Sequence, residues 1–272
     1  MTISPLTRRL LATVTALVMA FIYVPLIVVV VNSFNASKVF SWPPRSFTTN
    51  WWERAFANEG VRSALATSLK AATAATLMAL LLGTLLALAI SRYDFFGKSV
   101  VNLFVVLPIA LPGIVTGMAL NSAFTTTLKP LGLNFGLFTV IVGHTTFCIV
   151  VVFNNVLARL QRVGTSLQEA SADLGAPPWV TARLVTLPML RSALVAGAVL
   201  SFGLSFDEIV VTTFTSGPGL QTLPQWVFNN LFRPNQGPIV NAVAAGLLLL
   251  SVLPIWFASR LSADPVSGAG RL

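Results

Sequence analysis

Two adjacent carboxylates, Asp207 and Glu208, lie in the segment SFDEIVVTTF, inside an apolar stretch long enough to cross a bilayer. The other six of the eight acidic residues lie outside such stretches. A charged side chain costs about 2.5–3.5 kcal/mol at the bilayer centre, so it usually faces a protein interior or a wet pathway. The pair could therefore attract a cation, relay a proton or form a structural ion pair.

Helical spacing separates the two carboxylates if the stretch is one continuous helix. A rotation of about 100° per residue then places Ser201, Ser205, Glu208 and Thr212 on one stripe, with Asp207 about 120° away. Glu208 is predicted to face a polar path, and Asp207 a close helix neighbour or a subunit seam. The candidate substrate-binding residues are Glu208, Asp207, Ser205 and Thr212. The structural alternative is an ion pair with Lys70 or with a cation of a sister subunit.

The chain has one histidine, His144, and one cysteine, Cys148. A multi-histidine metal site, an internal disulfide and an H-E-x-x-H protease motif are therefore excluded. For His144 the apolar surroundings favour a hydrogen-bonded packing role over a substrate contact. We predict no catalytic residue, no metal site and no enzymatic activity in this chain.

The composition is that of an integral membrane protein. The 272 residues are 55% hydrophobic and only 9% charged, whereas soluble domains carry about 25% charged residues. The formal net charge of +9 comes from basic residues that punctuate the ends of apolar runs. This pattern is typical of membrane topology rather than of nucleic-acid binding.

Six stretches are long and apolar enough to be transmembrane helices, which predicts an all-α fold with a single transmembrane domain over residues 1–272. The predicted spans are about 11–31, 64–90, 100–124, 137–157, 189–214 and 239–259. The third contains LPIALPGIVTG, in which Pro108 and Pro112 each remove a backbone donor and predict a kink. Gly113 and Gly117 predict a face for close helix packing.

The distribution of basic residues predicts a multi-pass membrane protein with both termini in the cytoplasm. On this topology ten basic residues lie inside and six outside, and the excess marks the cytoplasmic side. The inner ten are Arg8, Arg9, Arg92, Lys98, Arg159, Arg162, Arg183, Arg191, Arg260 and Arg271. The outer six are Lys38, Arg45, Arg54, Arg62, Lys129 and Arg233.

The longest predicted cytoplasmic connection spans about residues 159–188. Ser166–Leu174 is predicted as a short helix that Ser166 caps, with Glu169 three residues later. Gly175 is expected to end this helix in a left-handed conformation. A second helix is expected from Trp179 to Leu187, ending at Pro188. An ordinary amphipathic helix at the inner membrane face would show the same pattern.

The segment EASADLG, followed nine residues later by VTLP, resembles the EAA loop of ABC importer permeases. The matching positions are Glu169, Ala170, Gly175, Leu187 and Pro188, and the departures are Ser171 and Val185. The segments LPIALPGIVTG, GHTTFCIVVVFNN, LSFDEIVVTTFTSG and NAVAAGLLLLSVLPI are similar to the second permease subunit of spermidine/putrescine-type importers. The resemblance covers nearly the whole chain.

This resemblance implies a type I importer permease of the bacterial inner membrane, with one permease domain over residues 1–272, that carries a polyamine or a related small amine. It implies a sister permease, two ATP-binding cassette subunits and an external solute-binding protein as partners. It also implies that Glu169–Gly175 is a coupling helix, with Glu169, Ala170, Asp173 and Gly175 meeting an ATPase subunit. The chain has no G-x-x-x-x-G-K-[ST] motif, so ATP and Mg²⁺ are expected to bind to the partner ATPase and no cofactor to this chain. An ion-coupled secondary transporter that uses Asp207 and Glu208 as a proton or cation relay is the alternative.

Overall fold

The computed structural model describes residues 4–38 and 42–262, without the side chains of 252–262. Within these ranges the chain is helical, and the only strand-like pairing is an isolated bridge between Asn35 and Phe47. Helices suit a chain in lipid because every interior backbone N–H and C=O is satisfied within the segment itself. The predicted all-α class is confirmed for the described part of the chain.

The described chain forms twelve α-helices, with a 3₁₀ turn at Lys129–Leu131 and a π-helical turn at Ala182–Thr186. In chain order the helices are α1 Pro5–Asn32, α2 Asn50–Ala57, α3 Glu59–Arg92, α4 Lys98–Ala110, α5 Gly113–Thr127, α6 Leu137–Val163, α7 Ser166–Asp173, α8 Pro178–Thr181, α9 Leu187–Phe206, α10 Val210–Thr215, α11 Leu223–Leu231 and α12 Gly237–Ser262.

Four helical segments are each long and apolar enough to cross a membrane: α1, α3, α6 and the run Pro178–Phe206. The pair α4 and α5 makes a fifth if it is counted as one broken span. In α12 the apolar stretch Gly237–Ser251 is shorter, and the side chains beyond it lie outside the described part. The predicted multi-span helical architecture is therefore confirmed, while the count of six spans stays a prediction.

Two of the predicted spans are interrupted. The third bends by 110° between α4 and α5, at Leu111 and Pro112, which is a break rather than the expected kink. The fifth, predicted over 189–214, ends as a regular helix at Phe206 and restarts at Val210. The prediction of one continuous helix over this stretch is wrong.

The chain divides into two compact units, and the first joins the residues up to Arg62 with Trp226–Val252. Its polar anchor is Trp51, which is buried and donates a hydrogen bond from its indole Nε1 to the carbonyl oxygen of Asn35 at 2.9 Å. Next to it, the rings of Phe34 and Trp52 stack with 5.4 Å between their centroids. These aromatic contacts tie α2 to the segment that follows α1.

The second unit comprises Ser63–Gln225 with the end of α12, and it contains the residues predicted to carry function. Its core lies along α6, which packs against α9, α10 and α4. Val152, Phe153 and Val156 of α6 are fully buried there with Leu190 of α9. This core fixes α6 as the support on which the broken fifth span rests. The single domain predicted over residues 1–272 stays a prediction.

Candidate functional site

The site is built around the break at Asp207–Ile209. The backbone ladder of α9 ends with a hydrogen bond from Asp207 N to the Gly203 carbonyl oxygen at 3.1 Å, and the ladder of α10 restarts with Thr213 N to Ile209 O at 2.9 Å. The β-branched run from Ile209 to Thr213 has a low preference for helix. Glu208 stabilises the restart because its carboxylate Oε1 accepts the Val211 amide at 2.7 Å.

The two carboxylates at the break have different surroundings. Asp207 is exposed on this chain, whereas Glu208 is half-buried and has one oxygen engaged by the Val211 amide. Among the described residues the only ion pair joins Lys98 and Asp94, at 2.9 Å, outside the predicted spans. Lys70, the predicted partner within this chain, therefore does not pair with either carboxylate. A cation of another subunit remains the structural alternative.

His144 of α6 connects the two sides of the break. Its ring Nδ1 lies 2.7 Å from the hydroxyl of Ser205 on α9, and its Nε2 lies 2.9 Å from the hydroxyl of Thr212 on α10. The imidazole is fully buried, and its ring lies 5.5 Å from that of Phe147. The predicted hydrogen-bonded packing role of His144 is confirmed. Its link to Ser205 and Thr212 was not predicted, although a single histidine inside an apolar span signals that polar partners lie on neighbouring helices.

The break also changes the interpretation of the predicted polar stripe, which consisted of Ser201, Ser205, Glu208 and Thr212. Ser201, Ser205 and Thr212 are at most 2% exposed, and they point into the packing with α6 rather than along an open path. The three hydroxyls do lie on one side, toward α6, but their grouping with Glu208 assumed a continuous helix, which the break at Asp207–Ile209 contradicts. Substrate contacts by Ser205 and Thr212, and by Glu208 and Asp207, stay predictions.

The break in the third span lies beside the break in the fifth. A Cβ added to Gly113, the first residue of α5, would lie 3.6 Å from the Cβ of Val210, the first residue of α10. One turn later the approach is closer, since a Cβ on Gly117 would lie 2.6 Å from the ring of Phe214. The Asn121 amide then donates to the Phe214 carbonyl oxygen at 2.7 Å. The small-residue packing face predicted at Gly113 and Gly117 is thus confirmed, with α10 as its partner.

The predicted coupling loop forms a helix, a sharp turn and a second helical run. α7 spans Ser166–Asp173, close to the predicted bounds, but its N-cap is Thr165 rather than Ser166. The Thr165 hydroxyl hydrogen-bonds to the Glu169 carboxylate at 2.5 Å. Gly175 has a φ of +76°, which confirms the predicted left-handed turn.

Pro188 does not end the second helical run, contrary to prediction. The run continues from Pro178 to Phe206, because a π-helical turn at Ala182–Thr186 precedes the proline. In this turn the Leu187 amide bonds to the carbonyl oxygen of Ala182, five residues back. The wider turn accommodates a residue that has no N–H to donate and whose ring would clash with a regular helical turn.

One side of α7 is attached to the rest of the loop, and the other makes no contact that buries it within the described part of the chain. The Gln168 amide donates to the Thr186 hydroxyl at 3.3 Å, and the hydroxyls of Ser171 and Thr181 hydrogen-bond to each other at 2.9 Å. Thr186 also accepts a hydrogen bond at 3.3 Å from the guanidinium of Arg92, at the end of α3. Residues on the other side of α7 and just beyond it are exposed: Leu167, Glu169, Ala170, Asp173, Leu174 and Gly175. Leu174 is 88% exposed.

Known proteins resemble the chain in sequence and in fold. The family described as binding-protein-dependent transport system inner membrane component matches residues 79–264. The spermidine/putrescine transport system permease protein PotC of Escherichia coli (strain K12) is 34% identical over 250 residues, 92% of each chain. The putrescine transport system permease protein PotI of the same strain is 33% identical over 232 residues, 84% of this chain and 82% of PotI. A bacterial ABC transporter involved in the import of the acidic polysaccharide alginate superposes with a TM-score of 0.72 at 17% identity, over 94% of each chain, which indicates a shared fold.

Proposed function

This chain belongs to the family of binding-protein-dependent transport system inner membrane components, and from that premise we propose that it forms half of the membrane pathway of an ATP-driven importer for a polyamine or a related small amine. It is a multi-pass membrane permease. Family membership sets aside the alternative of an ion-coupled secondary transporter, since binding-protein-dependent transport is a different class. The amine specificity rests on the relatives PotC and PotI and on the chemistry of the break.

The observation that carries the proposal is the pair of carboxylates at the break, without a cationic partner in the described chain. Non-helical backbone at membrane depth is tolerated where it is buried in protein or lines a wet cavity. Here two such breaks lie side by side, at Leu111–Pro112 and at Asp207–Ile209. Opposite charges 4 Å apart attract by about 4 kcal/mol at an effective dielectric constant of about 20. An ammonium group that leaves water is therefore stabilised at Glu208.

Elongated polyamines carry several such ammonium groups, each of which a carboxylate in the pathway would attract. Glu208 is the better candidate for direct contact, because its position is fixed by the Val211 amide while its second carboxylate oxygen makes no hydrogen bond to the described residues. Asp207 lies at the exposed side of the break. It is assigned to the seam with the sister permease.

The free side of α7 supports the proposed partners. Glu169, Ala170 and Asp173 are exposed on α7. Hydrogen bonds to Thr186 and Thr181 fix the opposite side of this helix, so it can stay folded when a partner binds. We assign this side to an ATP-binding cassette subunit, which binds the ATP and Mg²⁺. The complete assembly has a sister permease, two such ATPase subunits and an external solute-binding protein. Both termini of this chain lie in the cytoplasm.

The test compares Glu208→Gln with Asp207→Asn in the assembled transporter. Glutamine keeps the shape and the bond to the Val211 amide but removes the charge. We expect Glu208→Gln to lower uptake of radiolabelled putrescine or spermidine, per assembled complex, at least about tenfold, equivalent to about 1.4 kcal/mol. Basal ATPase activity and assembly are expected to be preserved.

Asp207→Asn is the matched control, since it removes one charge at the neighbouring position. Compared with Glu208→Gln, it is expected to lower uptake per complex less and to impair assembly more. Wild-type uptake by the Glu208→Gln complex would overturn the assignment of Glu208 as an amine site. Poor assembly of Glu208→Gln, with normal transport by whatever complex forms, would instead support a structural ion pair.

A further inference from the structure

We propose that His144 is a positioning residue for the amine site, which joins the two halves of the broken fifth span and thereby fixes the Glu208 carboxylate. This inference rests on the proposed function of Glu208 and goes beyond the packing role described above. On this proposal His144, which is buried on α6, does not touch the substrate and affects its recognition indirectly, through Glu208.

The break needs such a connection because its own backbone does not supply one. Within the described chain the helical ladder stops at the Asp207 amide and restarts at the Thr213 amide. Side chains must therefore fix the angle and spacing between α9 and α10. The imidazole of His144 reaches one hydroxyl on each side, Ser205 at 2.7 Å and Thr212 at 2.9 Å.

The hydrogen bonds around Thr212 assign the tautomer of the imidazole. The Thr212 hydroxyl donates its proton to the Glu208 carbonyl oxygen at 2.8 Å, so toward the ring it acts as the acceptor. Nε2 of His144 therefore carries the proton and donates it to Thr212. Nδ1 is then the acceptor and receives the hydroxyl proton of Ser205. One neutral tautomer satisfies all three groups.

The chain of bonds leads directly to the candidate site. It runs from the His144 ring through Thr212 to the backbone of Glu208, while the Glu208 carboxylate is held by the Val211 amide one residue before Thr212. Loss of the ring would remove the acceptor of the buried Ser205 hydroxyl and the donor to the Thr212 hydroxyl, and so disconnect the start of α10 from α6 and α9. The Glu208 carboxylate would then lose its fixed position without any change in its charge.

A double-mutant cycle tests this inference in the full transporter with its partner subunits. His144→Leu keeps the approximate volume and removes both hydrogen bonds. If His144 acts through Glu208, His144→Leu lowers putrescine or spermidine uptake per assembled complex at least about fivefold in the wild-type background. The same change produces little further loss in the Glu208→Gln background, because the group it positions no longer carries charge.

His144→Gln is the conservative variant, since its amide can still donate to Thr212. It is expected to retain more uptake than His144→Leu. Thr212→Val removes the hydroxyl at nearly constant shape. The same double-mutant cycle with Thr212→Val tests the positioning role if His144→Leu fails to assemble. Equal fold losses from His144→Leu in both backgrounds, or wild-type uptake by both His144→Leu and Thr212→Val, would overturn the positioning role. Wild-type uptake by Glu208→Gln alone would overturn the amine site itself.

Discussion

At the scale of single residues, the chain uses its few polar groups where helices are interrupted or approach closely. Glu208 caps a restarted helix, His144 joins the two sides of a break, and Asn121 donates to a carbonyl oxygen on the neighbouring helix. Glycines serve the same regions by their lack of a side chain. Gly117 is the clearest example, because the Phe214 ring occupies the place of its absent Cβ.

Gly117→Ala is expected to destabilise the assembled transporter by about 1–3 kcal/mol, the usual cost of overpacking a filled interior. The added methyl would lie 2.6 Å from Cδ2 and 3.2 Å from Cβ of Phe214, so the ring has little room to withdraw. Thermal unfolding of the purified complex measures the effect.

Gly113→Ala is the matched control on the same helix and against the same partner helix. Its methyl would meet Val210 at 3.6 Å, an ordinary van der Waals distance. We expect its melting temperature to stay close to that of the wild type. Equal melting temperatures for the two variants would show that the close approach at Gly117 does not limit stability.

At the scale of helices, the sequence predicts most of what hydropathy and turn residues control. The long apolar segments are helical, the Gly175 turn is left-handed, and α7 begins and ends within one residue of its predicted bounds. The break at Asp207–Ile209 was not predicted, because it contains neither glycine nor proline and helical periodicity presumes continuity. The available signal was a charged pair directly before a β-branched run.

Two further errors have the same origin, namely contacts that lie far away in the sequence. Pro188 was expected to end a helix, but the π-helical turn before it accommodates a residue without a backbone N–H. Arg92 and Gln168 both donate hydrogen bonds to the Thr186 hydroxyl in that turn. Ser205 and Thr212 were predicted to lie on a polar stripe with Glu208, whereas their hydroxyls are buried and hydrogen-bond to His144. A pattern within one segment does not contain such partners.

The left-handed turn after α7 gives a prediction at this scale. Nothing lies within 4 Å of a Cβ built on Gly175, so within this chain only its positive φ of +76° restricts the residue type. We expect Gly175→Leu to remove most substrate-stimulated ATP hydrolysis, because leucine favours a conformation that would redirect α7. Membrane insertion is expected to be unaffected.

Gly175→Asn is the control, since asparagine tolerates the left-handed region far better than leucine does. Its stimulated ATPase activity is expected to lie between those of Gly175→Leu and the wild type. Normal transport by Gly175→Leu would show that the turn does not determine coupling.

At the scale of the whole molecule, much of the apolar surface of the described residues is not covered by other described residues. The most apolar window of α1 is entirely unburied, and large hydrophobic residues on α4, α5 and α9 are exposed as well. Lipid and the sister permease are the partners that would cover such surfaces in a multi-pass protein. The exposed side of α7, which we propose to meet the ATPase subunit, would mark the cytoplasmic side and thereby set the direction of the chain across the membrane.

This direction is testable by cysteine labelling in intact cells. In a Cys148→Ala background, Pro218→Cys is expected to react with an impermeant thiol reagent, because the segment after α10 is predicted to lie outside. Leu174→Cys, which is 88% exposed at the end of α7, is expected to react only after the membrane is opened. The reverse labelling pattern would invert the topology and remove the assignment of α7 to the ATPase.

The π-helical turn at Ala182–Thr186 also takes up one residue of chain length without rotating the helix that follows it. Its hydrogen bond closes a loop one residue longer than that of an α-helical turn, so the extra residue is contained within the turn. Removal of one residue here would close the wide turn with little rotation of α9, and the cost would fall on Pro188, which the wide turn accommodates. Removal of one residue between Leu190 and Ser201, where the helix is regular, would instead rotate the rest of α9 by about 100°. Ser201 and Ser205, now buried against α6, would then leave their partners. The loop therefore has a tolerance of one residue that the transmembrane helix lacks.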